Sequence, residues 1–110
     1  MPGPEASVKT WVRNYLNRKL PGIYIANIHQ SMYSHKGIPD LVLCYSGKFV
    51  GLEVKTEQGR LSKLQEIELG KIKAAGGESI VIYGKDQILL DSLIERLKLH
   101  DTTIRGLSVS

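Results

Sequence analysis

Apolar positions recur along this chain with two different periods, and the switches between them lay out its elements. Val8, Trp11, Val12, Tyr15, Leu16 and Leu20 fall three or four residues apart. This predicts an amphipathic helix from about Glu5 to Leu20, opening after Gly3-Pro4 and halted by Pro21-Gly22. Its other face is basic, carrying Lys9, Arg13, Arg18 and Lys19. IYIANIH, residues 23–29, is rich in isoleucine and predicts a strand, after which QSMYSHKG forms a polar loop. LVLCY at 41–45 is apolar without alternation, as a strand covered on both faces would be. Ser46-Gly47 marks a turn, and KFVGLEVK at 48–55 alternates, placing Phe49, Gly51, Glu53 and Lys55 on one face. LSKLQEIELGKIKAAGG predicts a second helix with Leu61, Leu64, Ile67, Leu69, Ile72 and Ala75 inward and a stop at Gly76-Gly77. SIVIYG at 79–84 predicts another buried strand. Asp86 then caps a third helix through IERLKLH, with Leu90, Leu93, Ile94 and Leu97 on its apolar side, and residues 101–110 read as a polar tail. The order αβββαβα predicts a mixed α/β (α+β) domain over residues 1–100, a small mixed sheet flanked by helices.

A chain of 110 residues buries a real core but leaves no room for a recognition module beside a catalytic one. Fifteen Lys and Arg against eleven Asp and Glu give a formal charge of +4, which favours a polyanionic partner without demanding one. No apolar run approaches the roughly 20 residues of a membrane helix, and MPGPEASVKT lacks the features of a signal peptide. An intracellular, cytoplasmic protein with no membrane association is expected. The single cysteine, Cys44, is expected as a buried thiol, and His29, His35 and His100 lack zinc-ligand spacing. Trp11 and Tyr15 sit in helical register and are expected in the core.

Three charges break the pattern. Asp40 opens the first strand of the hairpin, and Glu53 and Lys55 lie inside the second. Residues two apart on a strand project to the same side, and the turn folds Asp40 back toward them. Two carboxylates and an ammonium at one point suit phosphodiester chemistry on Mg²⁺, an ion usually gripped by one or two carboxylates plus its substrate's phosphates. The plainer reading is an exposed Glu53–Lys55 ion pair with Asp40 as a turn residue. Burial of unpaired charge is costly, which weighs against that reading. Gly51, on the same face, is expected to leave room for a backbone or an ion.

Pro39-Asp40, twelve intervening residues, and then Glu53-Val54-Lys55 resembles the PD-(D/E)XK nuclease signature. The wider frame of G-I-P-D-L, L-E-V-K, G-R-L-S-x-x-Q and A-A-G-G is similar to its VRR-NUC branch, the virus-type replication and repair nucleases. The resemblance spans nearly all of residues 5–85. It implies a restriction-endonuclease-like core, Mg²⁺ or Mn²⁺ dependence and DNA phosphodiester hydrolysis. Carried over, it makes Asp40, Glu53 and the Val54 backbone carbonyl metal ligands and Lys55 the catalytic lysine. Glu5 matches the acidic residue near the metal on the first helix, although an acid is also ordinary at a helix N-terminus. Gln65 matches the motif glutamine, although Ser62-Lys63-Leu64-Gln65 is equally a capping box.

The expectation is therefore a metal-dependent DNA endonuclease acting on branched or four-way-junction DNA, as small stand-alone members of the branch do as homodimers. Such a role belongs to DNA repair, in a bacterial cytoplasm if the protein is phage-encoded. Lys36, His35, Arg60, Lys63 and Tyr33 are the candidate DNA contacts. The alternatives are a non-catalytic DNA-binding subunit with a nuclease-like fold and, from a third class, a structural metal site bound to no nucleic acid.

Overall fold

The computed structural model describes residues 3–29 and 35–109. Its elements follow the expected order: α1 (Pro4–Lys19), β1 (Tyr24–Asn27), β2 (Leu41–Tyr45), β3 (Lys48–Lys55), α2 (Lys63–Ala74), β4 (Glu78–Tyr83) and α3 (Gln87–Val109). The sheet runs β1-β2-β3-β4, with β1, β2 and β3 antiparallel and β4 parallel to β3. A parallel pair needs a crossover, and α2 supplies it.

Local chemistry explains the boundaries. Pro4 sits in the first turn of α1, where its missing N–H leaves nothing unpaired, and the chain turns after the helix through Gly22 at φ +88°. Ser46 and Gly47 both have positive φ, as a two-residue turn matching the twist of its strands requires, and they fix the pairing of Tyr45 with Lys48. Asp86 accepts from the Leu89 N–H at 3.1 Å and so caps α3 as expected.

The core lies on one face of the sheet. Leu41, Leu43, Val50, Leu52, Val54, Ile80 and Ile82 pack against Val8, Val12, Tyr15 and Leu16 of α1 and Leu90, Leu93, Ile94 and Leu97 of α3. Each buried aliphatic side chain of this kind stabilises the fold by roughly 1.5–3 kcal/mol. The Tyr15 hydroxyl donates to Asp91 Oδ1 at 2.5 Å, tying α1 to α3, and half-buried Trp11 stacks on its ring. Both aromatics thus belong to the core, as expected.

On the other face α2 crosses β3 and β4. The Ser79 hydroxyl donates to the Leu69 carbonyl at 3.0 Å, and the Ile72 side chain lies over Gly51. Several expectations fail. Leu69 is the only buried residue of α2, while Leu64 and Ile67 are 50% and 45% exposed and Ala75 is exposed. The expected inward arc was too wide because only one edge of the helix touches the sheet. β2 is fully covered on one face only: Val42 and Cys44 are half-buried because α2 leaves the β1–β2 side open. Cys44 is accordingly a half-buried thiol, not a buried one. The segment expected as a polar tail continues α3 to Val109. Polar composition reads as a tail, but an Asp101–Arg105 pair one turn apart at 3.0 Å supports the helix. Asp101 also accepts from the Ser46 hydroxyl, and His100 bonds the Ser46 carbonyl, anchoring this part of α3 to the hairpin turn. β1 is shorter than 23–29, although the Ile28 N–H still donates to the Asp40 carbonyl at 2.9 Å. No helix among the described residues is long and apolar enough to cross a membrane.

Candidate active site

The last rung of the β2–β3 ladder pairs Leu41 with Leu52, so Asp40 and Glu53 come next and face each other. Each carboxylate grips the other's strand. The Asp40 N–H donates to Glu53 Oε1 at 3.1 Å, and the Val54 N–H donates to Asp40 Oδ2 at 2.9 Å. In a strand the N–H and C=O of one residue point to the same edge, so the Val54 carbonyl also faces Asp40. Glu53 Oε2 accepts from Gln65 Nε2 at 2.6 Å and lies 3.7 Å from Lys55 Nζ. Asp40 from the loop before β2, Glu53 and Lys55 from β3 and Gln65 from α2 are gathered at one end of the sheet.

The glycine ahead of Pro39-Asp40 has a steric reason. Gly37 adopts φ +86°, and a Cβ there would stand 2.6 Å from the Leu64 carbonyl oxygen. Only glycine lets the loop press onto the first turn of α2 and deliver buried Pro39 and then Asp40. Gly51 corrects an expectation. Its Cβ would meet Ile72 Cδ1 at 2.4 Å and Pro39 Cγ at 3.0 Å, so the space it leaves is filled by side chains and not by an ion.

Glu53 is 2% exposed. Burial pushes its carboxyl up to about 7; the neighbouring Asp40 charge adds to this, and Lys55 opposes it. A buried acid this reluctant to ionise, beside a second acid, lacks positive charge that one lysine does not supply. A divalent cation fits that need. Two carboxylates and a backbone carbonyl are all hard oxygen and would suit a hard divalent cation. Among the described residues no group of three or more His, Cys, Asp or Glu forms a metal cage.

The remaining candidates are placed differently. Glu5 is exposed in the first turn of α1 and joins no cluster with Asp40 and Glu53. Its helix end does reach this end of the sheet, where Pro4, Ser7 and Val8 share a cleft with Thr56, Glu57, Gln58, Gly84 and Lys85. His35 pairs with Glu68 of α2, which Lys71 also holds at 2.9 Å. Lys36 is exposed, Lys63 is exposed 4.0 Å from Glu66, and exposed Arg60 borders a polar cleft with Gln58 and Tyr83. Tyr33 lies outside the described residues.

Opposed carboxylates past the end of a hairpin ladder, with a lysine two residues on, sit here on a mixed sheet flanked by helices, the fold of the PD-(D/E)XK nucleases. The match goes further, since the model of the VRR-NUC domain covers residues 6–86. The chain belongs to the VRR-NUC family. Two solved structures are similar to it: a VRR-NUC domain, 23% identical with a TM-score of 0.68, covering 86% of this chain and 97% of that one, and a VRR-NUC domain protein, 21% identical at 0.68, covering 88% and 89%. A third is Hjc, a Holliday junction resolvase from the archaeal hyperthermophile Archaeoglobus fulgidus, 18% identical with a TM-score of 0.56 over 72% of this chain and 67% of that one. At these identities the likeness concerns the fold. Among curated proteins no match was found.

Proposed function

We propose that the protein is a Mg²⁺- or Mn²⁺-dependent DNA endonuclease that hydrolyses phosphodiester bonds in branched DNA as a homodimer. The observation that carries this reading is the meeting of Asp40, Glu53, Lys55 and Gln65 around one buried carboxylate. Asp40 and Glu53, with the Val54 carbonyl, would hold the cation. When bound, the cation screens the phosphate, acidifies a coordinated water and stabilises charge on the phosphoryl oxygens. Lys55 orients the attacking water and faces the charge that builds on the scissile phosphate. Gln65 holds Glu53 in place. Branched DNA is favoured by the fold shared with a junction resolvase, and a dimer by the need for two active sites to cut two strands when one chain carries one.

The test is a cleavage assay with Mg²⁺ or Mn²⁺ on four-way junction, flap, linear duplex and single-stranded DNA. Cut junctions or flaps that disappear with chelator support the reading. Salt-sensitive binding without products in either metal overturns it in favour of a non-catalytic DNA-binding subunit.

A further inference from the structure

Gln65 makes two sets of bonds at once. Its backbone N–H donates to the Ser62 hydroxyl at 3.1 Å, and its side-chain Oε1 accepts from the Ser62 N–H at 2.9 Å, which together form the capping box of α2. Its Nε2 donates to Glu53 Oε2 at 2.6 Å. An amide has one accepting end and one donating end. Because the Ser62 N–H bonds only an acceptor, the capping box turns the NH₂ end toward Glu53. Capping boxes accept Glu or Gln at this position, but only Gln supplies a donor to the buried carboxylate. The same first turn also supports Asp40, since the Leu64 carbonyl is the surface on which Gly37 closes.

We propose that Ser62 is a positioning residue of the metal site, acting through Gln65 and the first turn of α2. The proposal rests on the reading of Asp40 and Glu53 as cation-holding groups. Ser62 touches neither carboxylate. Its hydroxyl fixes the start of the helix by holding the Gln65 N–H, which brings the Ser62 N–H onto the Gln65 Oε1 and so sets the facing of that amide and the orientation of Glu53. Removing groups that orient a metal ligand typically weakens metal binding by about 10- to 100-fold.

The test measures Mn²⁺ affinity by calorimetric titration in the absence of DNA, alongside the NMR signals of the Gln65 side-chain amide. Ser62→Ala is expected to weaken Mn²⁺ about tenfold and to shift the amide signals. Ser62→Thr and Ser62→Asp keep a capping oxygen and should restore both. Gln65→Ala should weaken Mn²⁺ comparably, and Ser62→Ala/Gln65→Ala should be no worse than Gln65→Ala alone, because both act on one path. A purely structural cap would lower the melting temperature of Ser62→Ala while leaving Mn²⁺ affinity and the amide signals unchanged at temperatures where the variant is folded. That result overturns the proposal alone. Absence of Mn²⁺ binding by the unaltered protein overturns the metal reading and this proposal together.

Discussion

Along β3 one run of residues serves two opposite surfaces. Val50, Leu52 and Val54 are completely enclosed by α1 and α3, while Gly51, Glu53 and Lys55 turn toward α2, which buries only Leu69. The first surface is ordinary close packing, in which area removed from water carries the fold. The second gives up packing in order to hold charge. Its glycine admits Pro39 and Ile72, its glutamate is buried at an energetic cost, and its helix is fastened by polar contacts as well as by Leu69 and Ile72. One face stabilises the domain, and the other is kept poised by it.

The largest expected effects separate neighbouring residues on the two faces. Asp40→Ala, Glu53→Ala and Lys55→Ala should each reduce cleavage to below about a hundredth while circular dichroism stays unchanged. Leu52→Ala, one position from Glu53, should lose roughly 2–5 kcal/mol of stability in urea yet keep its cleavage rate per folded molecule. If Glu53→Ala unfolded the chain, or Leu52→Ala selectively abolished cleavage, the division would collapse.

Next in size is pH. In the unfolded chain Glu53 ionises near 4.5, but in the folded chain only at about 7. Below the first value both states hold the proton and nothing is lost. As pH rises between the two, metal-free stability should fall, reaching a deficit on the order of 3 kcal/mol above pH 7. Glu68 and Asp101 are held below the usual carboxylate range, Glu68 first by Lys71 and Asp101 first by the Ser46 hydroxyl, so they titrate at lower pH and with the opposite sign. Urea denaturation of Glu53→Gln from pH 5 to 8 should lose the slope, and added Mg²⁺ should restore stability at the alkaline end of the unaltered protein.

Gly37→Ala tests the join between the faces and the loop. Added strain at φ +86° and the clash with the Leu64 carbonyl should cost about 1–3 kcal/mol and lower cleavage by displacing Asp40. Tyr15→Phe should have the smallest effect. It removes one hydrogen bond between α1 and α3, about 1 kcal/mol, with no change in cleavage, as a melting curve and a junction assay would show.

The hairpin was the most legible part of the chain. Its strands, turn and three misplaced charges follow from a period of two, and the structure reproduces 41–45 and 48–55 as read. Gln65 shows why the rest of the site was harder. The capping box and the motif glutamine looked like competing readings, yet one side chain satisfies both because its two ends have different chemistry. Gly51 and Gly37 were visible as glycines, but what each admits depends on Ile72, Pro39 and the Leu64 carbonyl, which arrive from elsewhere in the chain. The inward side of α2 is narrower than its apolar stripe because periodicity gives the phase of the stripe and says nothing of how much of it a neighbour covers.

Periodicity, turn chemistry and the placement of Asp40, Glu53 and Lys55 were therefore enough for the order of elements, the hairpin register and the identity of the charged cluster, since all three depend on residues close in the chain. The proton affinity of Glu53, the facing of Gln65, the openness of the Cys44 side of the sheet and the isolation of Glu5 emerged only on folding. Each of these depends on how much solvent distant segments exclude and which polar groups they bring within bonding reach, and no local pattern encodes that.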